Sequence, residues 1–311
     1  MSLSQITDKN LPEKVSSLLT NILEENPMHK SFLKGALEHV NDNELAVLDR
    51  YLDFCESKGH DLAYMADSYL TIVGDTFQEQ IYFMKHKQYR HKSYADVAGH
   101  VYHNKDYMDQ YMYGLAITSF LWPNHLDMGR FFVETMPRDM KGKYLDIGPG
   151  HGYYLMKAME LGSFDKFLGI DISEASIKQT QAIIDHFKPE YKDRFTLKMI
   201  DFLEAEGLEN GSYNAIVMGE VLEHVEQPDV FLKRIAELAA DDAYIYVTTC
   251  INAPAVDHIY LWRSTDELEK MIESTGLKIK QPLRLPYEGK TLEESEAEDL
   301  SINVAYVLEK I

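Results

Sequence analysis

The sequence predicts an α/β fold with a mostly parallel sheet in its second half and an all-helical region in front of it. Three observations carry this. The first 125 or so residues place apolar side chains three and four apart and show little strand-like alternation. From Lys141 onward, β-type apolar runs alternate with helical segments, the pattern of βαβ units whose strands are covered on both faces. At the start of that half, residues 144–154 read Tyr-Leu-Asp-Ile-Gly-Pro-Gly-His-Gly-Tyr-Tyr. That run is a buried strand, a glycine loop and the start of a helix.

In order along the chain, helices are expected over Leu11–Glu25, Ser31–Val40, Asn43–Ser57 and Asp61–His86, punctuated by Pro27 and Gly59. Two more follow near Ser93–Asn104 and Lys105–Leu121, ending at Trp122-Pro123, and another over about Asn124–Glu134. The strands are Tyr144–Ile147, Phe167–Ile170, Phe195–Ile200, Ala215–Met218 and Tyr244–Thr248. Ser264-Thr-Asp-Glu267 is a capping box that opens a helix ending near Gly276. Leu277–Leu285 and Ile302–Leu308, with the acidic stretch Glu288–Asp299 between them, read as a terminal hairpin. We divide the chain at 1–125, helical, and 126–311, α/β.

Composition narrows the function. The chain has 311 residues, 45% hydrophobic and 26% charged, an ordinary globular balance. No apolar run approaches the ~20 residues of a membrane span. Met1-Ser-Leu-Ser-Gln5 lacks the basic and apolar segments of a secretory leader. Cys55 and Cys250 read as free thiols of a reducing, cytoplasmic compartment. The formal net charge of −20 repels phosphate backbones and anionic membranes, so neither nucleic acid nor membrane is an expected partner.

The glycine loop brings backbone close to a ligand and aims free N–H groups at it. A nicotinamide or flavin fingerprint, G-x-G-x-x-G, fails in both registers: the third glycine falls on Tyr153 or on Leu155. The spacing Asp146-x-Gly148-x-Gly150-x-Gly152 instead resembles motif I of the class I S-adenosylmethionine-dependent methyltransferases. Three later segments extend the likeness in order: Phe167-Leu-Gly-Ile-Asp171-Ile172, Lys198-Met-Ile-Asp201-Phe202, and Met218-Gly219-Glu220-Val-Leu-Glu223-His224. The last is similar to small-molecule methyltransferases of the ubiquinone and menaquinone type.

The resemblance implies a Rossmann-like, seven-stranded sheet with an antiparallel last strand and S-adenosyl-L-methionine as cofactor. It implies that Gly148, Pro149, Gly150 and Gly152 hold the methionine end, with Asp146 near its ammonium. Asp171 and Ile172 would meet the ribose; a carboxylate at a strand end can accept from both hydroxyls, although Asp171 also reads as a helix N-cap. Asp201 and Phe202 would meet the adenine, and Gly219 and Glu220 the sulfonium. Family members with an added helical region use it as a lid or a dimer surface, so a homodimer is a candidate assembly.

The acceptor side is less determined. Aromatic residues crowd the end of the helical region, and Tyr107, Tyr111, Trp122 and His125 are pocket-wall candidates, against the plainer reading of helix packing. His103, Tyr107 and Tyr111 fall on one helix face by spacing. The segment after the fifth strand supplies Asp257, His258, Tyr260 and Arg263. His258, oriented by Asp257, is the leading general-base candidate, and His224 the second. No His-Glu-x-x-His or Cys-x-x-Cys spacing points to a metal, so none is expected, with an assembled His and Asp set left open. The activity read from the sequence is methyl transfer to oxygen or nitrogen of a small molecule. The alternatives are a non-catalytic cofactor-binding module and a protein methyltransferase.

Overall fold

The computed structural model describes residues 6–311, so the leader reading at Met1–Gln5 lies outside the described residues. The helical region runs through α1 (Glu13–Glu25), α2 (Lys30–His39), α3 (Asp42–Ser57), α4 (Leu62–His86), a short α5 (Tyr94–Ala98), α6 (Lys105–Leu121) and α7 (Pro123–Thr135). Sequence-local signals start them: Asn41 and Ser93 each form a reciprocal capping box, Asp61 and Asn104 accept from backbone N–H groups of the first turn, and Pro123 opens α7. The amphipathic faces of α1, α3, α4 and α6 bury Leu18, Leu48, Tyr69 and Ile117 in one core. Where α6 crosses α4, a Cβ at Gly114 would lie 2.3 Å from the Ser68 carbonyl oxygen.

The second half follows as β1 (Lys143–Ile147), α8 (Tyr153–Leu161), β2 (Lys166–Asp171), α9 (Glu174–Phe187), β3 (Phe195–Met199), β4 (Tyr213–Gly219), α10 (Pro228–Leu238), β5 (Ala239–Ile251), α11 (Thr265–Glu273), β6 (Leu277–Leu285), α12 (Leu292–Ala297) and β7 (Ile302–Lys310). The seven strands pair in the order β3-β2-β1-β4-β5-β7-β6. All neighbours are parallel except β7, which runs antiparallel to both β5 and β6. The chain steps from β1 outward through β2 to β3, then returns to the far side of β1 with β4. The switch point between β1 and β4 is where open α/β sheets bind ligands.

Alternation along the strands gives each face its own core. Tyr144, Val217 and Tyr246 pack with Phe132 of α7 and Leu155 of α8, whereas Leu145, Ile216 and Val247 pack with Leu232 of α10 and Leu268 of α11. Ile183 of α9 enters the core of the helical region, so the two halves share buried surface.

The structure differs from the sequence reading in three places. The helix expected over Ser93–Asn104 shrinks to Tyr94–Ala98 and continues as turns, because Tyr102 is drawn to Asp257 across the cavity described below. His103 therefore precedes α6 rather than sharing a face with Tyr107 and Tyr111. At α11, Ser264 Oγ accepts from Glu267 N, but the Glu267 carboxylate accepts from Arg263 N at 2.8 Å, one residue early for a reciprocal box. The acidic stretch between the last strands carries α12, started by a Thr291–Glu294 capping box.

No helix among the described residues is long and apolar enough to cross a membrane. Cys55 and Cys250 are buried free thiols.

Candidate functional site

A cavity of about 1720 Å³ lies between the carboxyl ends of the strands and the helical region. That exceeds the ~300–1,000 Å³ of an ordinary small-ligand pocket. Its roof comes from α2, α4 and α6, with Ile72, Tyr111, Met112 and Leu115 among the lining residues. Its floor comes from the loops after β1, β2, β3, β4 and β5.

On one side lies the glycine loop. Gly148 has φ +67, and Gly150 and Gly152 are left-handed as well. The loop is tied down by Gly148 N donating to the Ile170 carbonyl at 2.8 Å. Ser176 Oγ and Thr180 Oγ1, one turn apart on α9, both donate to the Gly150 carbonyl, at 3.1 and 2.5 Å. Gly148, Pro149 and Gly150 line the cavity, whereas Gly152 stands behind as the N-cap of α8.

Asp171, at the end of β2, also lines it. Its Oδ1 accepts from Ser173 N at 2.8 Å and its Oδ2 from Ser176 Oγ at 2.5 Å. The N-cap of α9 is Ser173, not Asp171. A carboxylate has about four lone-pair sites, so Asp171 keeps capacity for a ligand. Burial raises its pKa, against the hydrogen bonds from Ser176 and Ser173. Ile172, Asp201 and Phe202 complete this side, with the Phe202 ring 5.4 Å from that of Phe231 and tilted 44° to it.

The opposite floor is polar and crowded. Glu220 has a left-handed φ of +52, held by its N–H donating to Thr248 O at 3.1 Å and to Thr248 Oγ1 at 3.0 Å. A side chain at Gly219 would strike the Tyr154 ring. Glu223 lies in a 3-10 turn, Leu222–His224, and is fully buried. Its Oε2 accepts from Thr249 Oγ1 at 2.7 Å, while Oε1, like Glu220 Oε1, has no hydrogen-bond partner. Burial and the neighbouring Glu223 carboxylate push the Glu220 pKa well up.

Two histidines face these carboxylates. His224 places Nδ1 3.1 Å from the Asp257 carbonyl oxygen and Nε2 3.9 Å from Glu223 Oε1. Burial lowers its pKa, but Asp257 and Glu223 outweigh it and the net direction is up. His258 places Nδ1 2.6 Å from the Ala253 carbonyl, and burial followed by the His224 charge lowers its pKa. The rings meet edge to face at 4.8 Å. Asp257, expected beside His258, instead faces His224 and accepts from Tyr102 OH at 3.2 Å and Tyr111 OH at 3.4 Å.

Trp122 and His125 line the cavity with Tyr111. Tyr107 does not: its OH donates to Asp75 of α4 at 2.6 Å, so it packs α6 on α4. Tyr260 packs on Trp262 at 4.6 Å, and Arg263 bonds the Lys87 carbonyl and pairs with Asp299, both away from the cavity. Asp146 is buried beneath the site; strand alternation puts it on the face of Tyr144, whose OH donates to it at 3.0 Å. Burial lifts its pKa to about 7.

Sequence reasoning missed the Ser176–Thr180 clamp and the convergence of Glu220, Glu223, His224 and His258. The i, i+4 hydroxyls at the start of α9 were a usable signal for the first. The second needs the fold, because β4 and β5 bring those residues together.

Residues 124–281 match a family described as a methyltransferase domain. An 86-residue stretch is 31% identical to ribosomal RNA large subunit methyltransferase G of Yersinia enterocolitica, covering 27% of this chain and only 20% of that one. Among solved structures, the fold is similar to mitomycin 7-O-methyltransferase MmcR, at 12% identity and a TM-score of 0.55, over 80% of this chain and 70% of that one. It is also similar to phosphoethanolamine N-methyltransferase 2 of Haemonchus contortus in complex with phosphomonomethylethanolamine and S-adenosylhomocysteine. There identity is 15% and the TM-score 0.51, over 70% of this chain and 60% of that one. At these identities the two structures speak to the fold alone.

Proposed function

The chain belongs to the class I S-adenosylmethionine-dependent methyltransferases, and from that premise we propose that it methylates a small molecule at oxygen or nitrogen with S-adenosyl-L-methionine as donor. The observation that carries the reading is the single cavity joining the glycine loop and Asp171 on one side to the Glu220–His258 floor on the other. The cofactor supplies an electrophilic methyl group on a sulfonium. This chain's residues fit it: a glycine loop lining the cavity at Gly148–Gly150, with no side chain beyond Pro149 to bar close approach, a carboxylate at Asp171, and Phe202 with Asp201 at the far end.

The acceptor would lie between the floor and the α6 roof. Tyr111, Trp122 and His125 wall it, and Tyr102 and Tyr111 hold Asp257, which orients His224. Orientation supplies most of the catalysis in an in-line displacement with so good a leaving group. A small acceptor fits a site roofed by helices, and the acidic surface opposes phosphate-rich partners.

Calorimetry with S-adenosylmethionine and S-adenosylhomocysteine tests the cofactor. Micromolar binding is expected, weakened about tenfold or more in Asp171→Ala, since hydrogen bonds to a charged group contribute ~1.5–3 kcal/mol. Near-wild-type affinity in that variant would refute the ribose assignment. Turnover of a metabolite panel tests transfer; donor binding with no turnover of hydroxyl or amine acceptors would favour a binding module.

A further inference from the structure

A second cavity, about 550 Å³, lies between the α3–α4 turn, α4, α6 and α9. That is the size of an ordinary small-ligand pocket, ~300–1,000 Å³. Its walls include neither the glycine loop nor the polar floor, and Met112 alone lines both cavities.

Three rings form one wall. His60 stacks on Tyr64 with centroids 4.7 Å apart and lies 4.4 Å from Tyr113, and Tyr64 meets Tyr113 edge to face at 6.0 Å. Burial lowers the His60 pKa, against the charges of Asp109 and Asp61, so this ring is neutral near neutral pH. Asp106 and Asp109, three apart on α6, line the same space. After burial, which dominates each shift, the Asp109 charge acts on the pKa of all three rings. Both lysines of the wall are engaged elsewhere: Lys178 Nζ pairs with Glu174 at 2.5 Å, and Lys58 Nζ stands 5.4 Å from the centre of the Phe54 ring. Neither aspartate has an ion-pair partner among the described residues. Independently of the carboxylates, Gln179 of α9 lines this cavity and is only 7% exposed, yet its Oε1 has no hydrogen-bond partner. A buried amide oxygen left unpaired is costly, and a ligand N–H would satisfy it.

We propose that this cavity binds a small organic ammonium ion that carries at least one N–H. The cationic head lies against the faces of the aromatic trio, its charge is answered by Asp106 and Asp109, and its N–H donates to Gln179 Oε1. The site reaches the glycine loop by two short paths. A Cβ at Gly150 would lie 3.6 Å from Met112 Cε, so Met112 packs between this cavity and the loop. The helix α9 turns Gln179 to the cavity and Ser176 and Thr180 to the Gly150 carbonyl. A filled cavity holds Met112 and α9 in place, so the ammonium ion tightens donor binding and the donor tightens ammonium binding by the same factor. This coupling rests on the methyl-transfer reading; the ammonium site itself does not.

The test titrates the full chain calorimetrically with putrescine and butylamine, with butanol as the uncharged control. A Kd below about 1 mM is expected for at least one amine. Butanol should bind roughly tenfold or more weakly, and the amine should weaken by a similar factor in Asp109→Asn and in Gln179→Leu. Circular dichroism should be unchanged in both variants, and Gln179→Leu, which removes the orphaned oxygen, should unfold no earlier than wild type. The methylene protons of the bound amine should shift upfield against the ring faces, a nuclear magnetic resonance measurement that needs no variant. Weaker binding of both amines than that limit, equal binding of butanol, wild-type affinity in either variant, or no upfield shift would each overturn the site. Loss of amine binding in Asp257→Asn, with wild-type affinity in Asp109→Asn, would place the amine in the larger cavity and overturn it as well. Saturating amine should raise S-adenosylhomocysteine affinity about threefold or more, and unchanged affinity would overturn the coupling. Amine binding without S-adenosylhomocysteine binding would support the ammonium site and overturn the cofactor reading.

Discussion

Gly148 shows how one residue ties sequence to site. Its φ of +67 is cheap only for glycine, and a Cβ there would lie 2.6 Å from Val221 Cγ2. Gly148→Ala should therefore cost about 1–2 kcal/mol from the backbone alone, plus a steric part, and should weaken cofactor binding with it. Adding Val221→Ala should return the steric part but not the backbone part. Thermal unfolding of the single and double variants measures both; a single variant as stable as wild type would contradict the argument. The loop was legible in the sequence because its geometry demands glycine. Glu220 was not legible in the same way: it too is left-handed, but the strain is imposed by the Thr248 contacts, and no residue type announces it. The burial of Glu223 and the pairing of Asp257 with His224 were hidden for a related reason, since they depend on which strand ends become neighbours.

At the scale of the element, α6 decides how the roof sits. Its end was readable from Trp122-Pro123, and the helix runs Lys105–Leu121 as the spacing predicts; that Asn104 caps its start appears only in the structure. Which of its faces meets the cavity was not readable, because α6 is apolar on most sides. Tyr107 turns to Asp75 of α4 while Tyr111, one turn on, reaches Asp257. Gly114 fixes that rotation by letting α6 approach the α4 backbone. Gly114→Val would drive its side chain into the Ser68 carbonyl and Ile72, at a cost of about 1–3 kcal/mol from overpacking. Because the displaced helix carries Tyr111 and Met112, cofactor affinity should fall along with the unfolding midpoint. A variant that unfolds earlier but binds the cofactor as wild type does would separate α6 from the site and defeat this account.

Across the whole molecule, the cavity exists only because the helical region and the sheet close on each other, and the histidines at that seam make closure pH-dependent. His125 and His151 both line the cavity, contacting Thr118 Oγ1 at 3.0 Å and Ser119 Oγ at 3.3 Å, hydroxyls rather than carboxylates. Burial holds both pKa values down at about 4, against 6.5 for an ordinary histidine, with the His151 charge adding to the effect on His125. Above pH 6.5 both rings are neutral in folded and unfolded chains alike, and neither adds a pH dependence. As pH falls from 6.5 toward 4, the unfolded chain takes up protons that the folded chain refuses, so stability declines across that window and levels off below it. Both rings meet the cavity as well as the core, which limits the loss to about 1 kcal/mol each rather than the full value of the shift. Between pH 8 and 6.5 these two rings should leave the unfolding midpoint unchanged, and below 6.5 they should pull it down, against Asp146, whose raised pKa acts in the opposite direction over the same range. In His125→Gln/His151→Gln, the part of the drop owed to these rings, about 1.5 °C apiece, should disappear. Paired thermal melts from pH 4 to 8 read this difference directly, and a double variant with the wild-type slope would show that the seam is not where the protons are refused.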